Sequence, residues 1–405
     1  MEEPKIETIE AIEEETALSP TVKRLGLVSF LADVSSEMLY PITPIFLTSV
    51  LGASVSSVGL IEGVAEAVAS LLKTYSGFWS DRTQHRKRFI WIGYLLAAIA
   101  KPLTGVSQSW AHVLFARSFD RTGKGIRTAP RDALLAESVP VHLRGAAFGW
   151  HRFMDTLGAT FGPLLAIVFL KYTSNMRWIY FVAFIPGILA VFVALGLKEK
   201  KHERVYSAHK LGWDSFFALP SNFKYYLFSW TLFSLVNSSD VFLLLRTRQA
   251  GNALVETILL YCFYNLTYAL FSPYLGGLSD KIGRKKILIF GLLIFAAVYC
   301  GFIFASAEVH FWVLFGIYGL YMAATDGVGK ALAIDLLDKD KKATAVGYLG
   351  TATGISTLIA STVAGLLWDH YGSYATFGYG CIGAGAACIA LLFLNQEKRE
   401  NIPSR

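Results

Sequence analysis

Apolar or weakly polar stretches of about 20 residues recur along almost the whole chain, each long enough to cross a hydrocarbon core about 30 Å thick. Twelve can be drawn, at roughly 23–50, 55–80, 88–107, 110–135, 143–170, 177–197, 222–247, 254–279, 286–305, 310–336, 343–369 and 374–395. Short polar turns separate them. Several spans carry charges, and the fourth is the least apolar and the richest in chemistry. The pattern predicts an all-α membrane protein of twelve transmembrane helices.

Two of the turns repeat each other. Gly77-Phe-Trp-Ser-Asp81-Arg82-Thr-Gln-His-Arg86 follows span 2, and Gly276-Gly-Leu-Ser-Asp280-Lys281-Ile-Gly-Arg284 follows span 8. Leu51-Gly52-Ala53 matches Ala250-Gly251-Asn252 at the same spacing, Phe148-Gly149-Trp150 matches Val346-Gly347-Tyr348, and Arg131-Asp132-Ala133 is set opposite Ile334-Asp335-Leu336. Ser35-Ser36-Glu37 in span 1 echoes Ser238-Ser239-Asp240 in span 7, displaced by about one helical turn. A chain of membrane-length segments duplicated in this way has the architecture of a secondary transporter. It predicts two pseudo-symmetric six-helix bundles at 23–197 and 222–396, a short basic linker at 198–221, and tails at 1–22 and 397–405.

The loop signature resembles the gating motif of the major facilitator superfamily. The second copy fits well. In the first, Gln84 stands where Gly is usual and the basic cluster slips by one residue. Gly158-x-x-x-Gly162-Pro163 in span 5 is similar to that family's antiporter motif without its trailing glycine pair. Span 4 carries Gly123-x-Gly125 as in the family pattern, with Phe119 where Arg is usual and Arg117 and Arg121 flanking it. The run Asp120 to Leu135, together with Asn237 to Arg246, resembles a largely uncharacterised prokaryotic branch. The resemblance covers essentially all twelve spans and implies alternating access, spans 1, 4 and 5 at a central cavity, and Asp81 as a conformational lock. For Gly77, Asp81, Arg82, Arg86, Gly276, Asp280, Lys281 and Arg284, a gating role and a topogenic role are compatible. Gly158 and Gly162 are either helix-contact residues or part of a bend at Pro163.

Composition agrees: 54% hydrophobic residues, 17% charged and a mean hydropathy of +0.46 leave little for a soluble surface. The net charge of +7 is no nucleic-acid footprint. The basic residues cluster after spans 2, 6, 8, 10 and 12, while the turns after spans 1, 3, 9 and 11 hold no Lys or Arg. By the positive-inside rule both termini and the 6–7 linker are cytoplasmic, in an inner (plasma) membrane. The acidic N-terminus has no basic n-region or cleavage site of a signal peptide. All four cysteines lie inside predicted spans without a CxxC, so free thiols are expected, with neither a disulfide framework nor a metal site. No phosphate-binding GxxxxGK[ST] loop, HExxH or nucleophile elbow occurs, so neither ATP, a cofactor nor a catalytic residue is expected.

Ionisable residues inside spans are expensive and are functional candidates by default. On span 4, Arg117, Asp120, Arg121, Lys124, Arg127, Arg131 and Asp132 fall within an arc of ~140°. Asp33 and Glu37 share a face of span 1, and Arg144, His151, Arg152 and Asp155 lie on one side of span 5. Two readings stay open. In one, the basic face is neutralised by the carboxylates as a fixed ionic core. In the other, a carboxylate exchanges protons, with Glu37 and Asp33 the first candidates, then Asp120 and Asp155, and Glu62 and Glu66 below them. Arg121, Lys124 and Arg127 are then candidate substrate contacts. In the second half Asn237, Asp240, Tyr264 and Asn265 are the candidates, since amides and aromatic hydroxyls suit a small organic ligand. The expectation is a monomeric, multi-pass carrier of a small organic solute by proton-coupled antiport, exporting an amphipathic or drug-like compound. The alternative is an organic anion, a carboxylate or metal-chelating metabolite, held by the basic face of span 4.

Overall fold

The computed structural model describes residues 19–83, 85–140, 143–173, 175–199, 219–337 and 342–394; a few side chains within these, Asp81 and residues 342–346 among them, are not described. Residues 1–18 of the N-terminal tail, residues 200–218 of the linker and the C-terminal tail thus lie outside the described residues.

Long α-helices follow one another and are labelled by the predicted span each falls in: α1 Pro20–Glu37, α2 Val55–Thr83, α3 Arg86–Gly105, α4 Trp110–Glu137, α5 Arg144–Tyr172 and α6 Arg177–Leu195, then α8 Leu254–Ile282, α9 Arg284–Phe304, α10 Glu308–Asp335, α11 Lys342–Tyr371 and α12 Ser373–Leu392. Span 7 is two helices, α7a Ser221–Ser234 and α7b Val241–Gln249. Spans 1 and 7 are therefore not the continuous helices drawn from hydropathy. α1 stops at Glu37, turns through residues 38–42, and resumes as a short helix Thr43–Ile45 and a π-helical turn Phe46–Val50. Apolar residues continue through both breaks, so hydropathy runs across them unchanged. The triplets Ser35–Glu37 and Ser238–Asp240 fall at these two breaks. Among the described residues, eight helices (α2, α5, α6 and α8–α12) contain a stretch long and apolar enough to cross a membrane. The others are interrupted or carry charges within the helix.

By contacts, the described residues divide into two compact units, the first drawn from 1–42, 72–108 and 115–205 and the second from 43–71, 109–114 and 206–405. In the first unit α1 packs on α5 and α6, and α3 on α6. In the second, α7a packs on α11 and α12, and α9 on α12. The same neighbour pattern is thus built twice, as the sequence repeat requires.

Close approach of backbones explains the glycine motif of α5. A Cβ on Gly158 would lie 2.6 Å from the Phe30 carbonyl oxygen, and one on Gly162 would lie 2.7 Å from that of Val34. These two glycines seat α5 on α1 beside Asp33 and Glu37. α5 runs through Pro163 to Tyr172. Within the second unit, Asp369 near the end of α11 accepts hydrogen bonds from the backbone N–H groups of Val55 (3.1 Å) and Ser56 (2.8 Å), the first residues of α2.

Each unit also ties the start of its third helix to the end of its fourth. Arg86 of α3 pairs with Glu137 of α4 at 2.8 Å, and Arg284 of α9 pairs with Asp335 of α10 at 3.1 Å. Both pairs have the same separation along the chain. Glu137 rather than Asp132 is therefore the counterpart of Asp335, a correction to the match drawn from sequence.

Candidate functional site

In the first unit the polar face of α4 is built around Asp120. Lys101 of α3 approaches its carboxylate at 3.7 Å, Arg117 at 3.8 Å and Arg121 at 3.7 Å. These are long contacts, so Asp120 is a shared counter-ion rather than one partner of a tight pair. Lys101 is buried and also donates to the Ala97 carbonyl at 2.9 Å. Further along α4, Arg127 is buried with its guanidinium 4.3 Å from the centre of the Tyr94 ring. Arg131 holds Asp132 through two N–H bonds of 2.9 and 3.0 Å.

The α1–α5 contact carries the carboxylates. Asp33 interacts electrostatically with Asp155, Glu37, Lys124 and Arg127. Asp155 accepts from the Ser29 hydroxyl and lies 3.4 Å from His151 Nδ1. His151 is buried, and its Nε2 has no hydrogen-bond partner among the described residues. Lys124 is exposed. The structure therefore brings Asp33, Glu37, Asp155, Lys124 and Arg127 together, and it sets Arg121 around Asp120.

A second polar cluster lies in the second unit. Asp240 stands at the helix-capping position of α7b, yet its carboxylate caps no backbone N–H. Instead the Tyr264 hydroxyl of α8 donates to Oδ2 at 2.9 Å and the Tyr318 hydroxyl of α10 to Oδ1 at 2.6 Å. The Ser239 N–H donates to Ser361 Oγ at 3.1 Å, and the Tyr379 hydroxyl donates to the carbonyl of Leu235, so the break of span 7 is held from α11 and α12 as well. Asn265 donates to the Tyr261 carbonyl one turn back on its own helix. Asn237 is half-buried in the break. One turn along α8, Tyr268 donates to Asp326 at 2.8 Å, and Asp326 also pairs with Lys330 at 2.7 Å.

Of the candidate gating residues, Gly77 lies close to Ala129 of α4, Arg82, Asp280 and Lys281 are exposed, and Arg284 bridges Asp280 (3.2 Å) and Asp335. Gly276 meets nothing within 4 Å of where its Cβ would stand. Sequence reasoning missed Lys101 and did not single out Tyr318 as the partner of Asp240. Lys101 had a signal, a lysine inside an otherwise apolar span. Tyr318 had none stronger than its neighbours, because its partner is 78 residues away.

The family model for the Major Facilitator Superfamily matches residues 25–261 and 241–405. The chain belongs to the Major Facilitator Superfamily. It is an integral, multi-pass membrane protein of a family of transporters, not enzymes. Within the superfamily, it is 38% identical over 390 residues to the uncharacterized MFS-type transporter MJ1317 of Methanocaldococcus jannaschii, covering 94% of this chain and 96% of that protein. The tetracycline resistance protein, class H, of Pasteurella multocida is 32% identical over 149 residues, 35% of each chain. The crystal structure of the nucleoside transporter NupG (D323A mutant) superposes with a TM-score of 0.78 at 13% identity, covering 92% of this chain and 98% of that one. That likeness establishes the superfamily fold.

Proposed function

We propose that this chain is a twelve-span, proton-coupled antiporter that exports an amphipathic, drug-like compound by alternating access. It works as a monomer in the inner membrane with both termini cytoplasmic. The observation that carries the reading is the carboxylate group at the α1–α5 contact, where Asp33 interacts with Asp155, Glu37, Lys124 and Arg127. Like charges brought together disfavour full ionisation, and nearby cations favour it. A group balanced between the two can take up and give up a proton as its surroundings change. The Pasteurella relative, a tetracycline resistance protein matching about a third of the chain, supports export of such a compound.

Proteoliposomes carrying an interior pH-sensitive dye test the proposal. A panel of lipophilic cations and tetracyclines is added outside. For the wild type, at least one compound should trigger a proton flux; for Glu37→Gln or Asp33→Asn the flux should be lost while compound-for-compound exchange persists. Accumulation driven by a pH gradient alone in both variants would remove these carboxylates from the coupling.

One observation favours a second reading, transport of an organic anion: Lys124 is exposed, on the same polar face as Arg127. The contacts of Arg121 with Asp120 count against Arg121 as part of such a clamp. A ligand selective for the folded protein at a hundred times its Kd adds about 2.7 kcal/mol of stability. Stabilisation by organic carboxylates that Lys124→Gln abolishes, with none by cations, would favour the anion.

A further inference from the structure

Asp240 occupies an unusual place. It stands at the break of span 7, between α7a and α7b, and both of its oxygens accept from neutral hydroxyls, Tyr264 from α8 and Tyr318 from α10. Among the described residues no Lys, Arg or His forms an ion pair with it. The titratable groups facing it are all acidic or neutral: Glu62 of α2, which is itself buried, Tyr264 of α8, Tyr299 of α9, and Tyr318 and Tyr321 of α10. A carboxylate at membrane depth with no cation is costly. Asp120, by contrast, has Lys101, Arg117 and Arg121 around it, and the more exposed Asp326 has Lys330. Asp240 has been given hydroxyls instead.

The two tyrosines also make the site mechanical. Each carboxylate oxygen is an acceptor, and each donor comes from a different helix. A proton placed on Oδ1 or Oδ2 removes the negative charge and makes that oxygen a donor with reduced acceptor capacity, so the charge-assisted bonds from Tyr318 and Tyr264 weaken or one reverses its direction. The ties of the span 7 break to α8 and α10 are then weaker.

We propose that Asp240 is a proton-binding site of the second unit, and that its protonation loosens the break of span 7 from α8 and α10. The site is separate from the carboxylates of α1 and α5, and it can be read without knowing the transported solute.

Infrared difference spectra of the full-length protein in lipid, recorded against pH, test the binding. A carboxyl C=O stretch that grows on acidification and is lost in Asp240→Asn is expected. Spin labels at Gln249→Cys on α7b and Val309→Cys on α10, with the four native cysteines replaced, test the loosening. The distance distribution should broaden or shift on acidification, and stay fixed in Asp240→Asn. If Asp240→Asn fails to fold, Tyr318→Phe serves instead, since loss of one clamp should change the pH at which the stretch appears. A titrating stretch identical in wild type and both variants would overturn the proposal. So would a label distance that follows sodium concentration at fixed pH, which would make Asp240 a metal-ion ligand. Neither result would touch the roles of Asp33 and Glu37.

Discussion

At the scale of single residues, burial decides what a charge is worth. Asp120 is the shared counter-ion of three cations, so Asp120→Asn leaves Lys101, Arg117 and Arg121 facing one another. Removing one partner of a buried ionic group costs about 3–5 kcal/mol, and the variant should melt well below the wild type in a thermal-shift assay. Arg121→Gln, which leaves two cations on the same acid, should lose less. If Arg121→Gln abolished transport with an unchanged melting temperature, Arg121 would be a substrate contact instead of a strut. Gly162 makes a different argument. Its hydrogen faces the Val34 carbonyl across the α1–α5 contact, and a leucine there must push the helices apart. Overpacking of this kind costs about 1–3 kcal/mol. Gly162→Leu should lower the melting temperature, while leucine at Gly276, which meets no neighbour, should not.

At the scale of elements, helix ends carry the fine structure. The N-terminal N–H groups of a helix have no partner within it, and Asp369 supplies one for the start of α2. An anion there also meets the positive end of the helix dipole. Asp369→Ala should cost about 1 kcal/mol, as loss of a helix cap does, and hydrogen exchange should quicken at Val55 and Ser56 before it does elsewhere in α2. Elements are also where the sequence was most and least legible. The spans themselves could be read because a membrane demands long apolar runs, and the polar face of α4 could be read because charges recur at helical spacing. The breaks of spans 1 and 7 could not. Pro41 was visible, but Leu235 and Val236 read like any other apolar pair, and what holds the second break are hydroxyls from Tyr379, Tyr264 and Tyr318, distant in sequence. The Asp240 candidate was legible as a buried polar residue; its partners were not.

At the scale of the whole molecule, the basic turns and the repeat together make a topology that can be tested directly. Alkaline phosphatase is active only outside the cytoplasm. Fused after Gly52 or Gly251 it should be active, and fused after Lys198 or at Arg405 it should be silent, which would place both termini inside. The two units also share more than a neighbour pattern. From Arg86 to Glu137 and from Arg284 to Asp335 the chain forms two helical hairpins of equal length, each closed at its base by an ion pair. Such a hairpin carries its own clasp. Exchanging the acid between the clasps, so that Glu137 becomes Asp and Asp335 becomes Glu, leaves every charge in place and alters only reach by one methylene. The consequence is modular: a chimera with one hairpin grafted onto the other's position inherits a closed base without further redesign, and whatever it then fails to do belongs to the faces of the helices rather than to their ends.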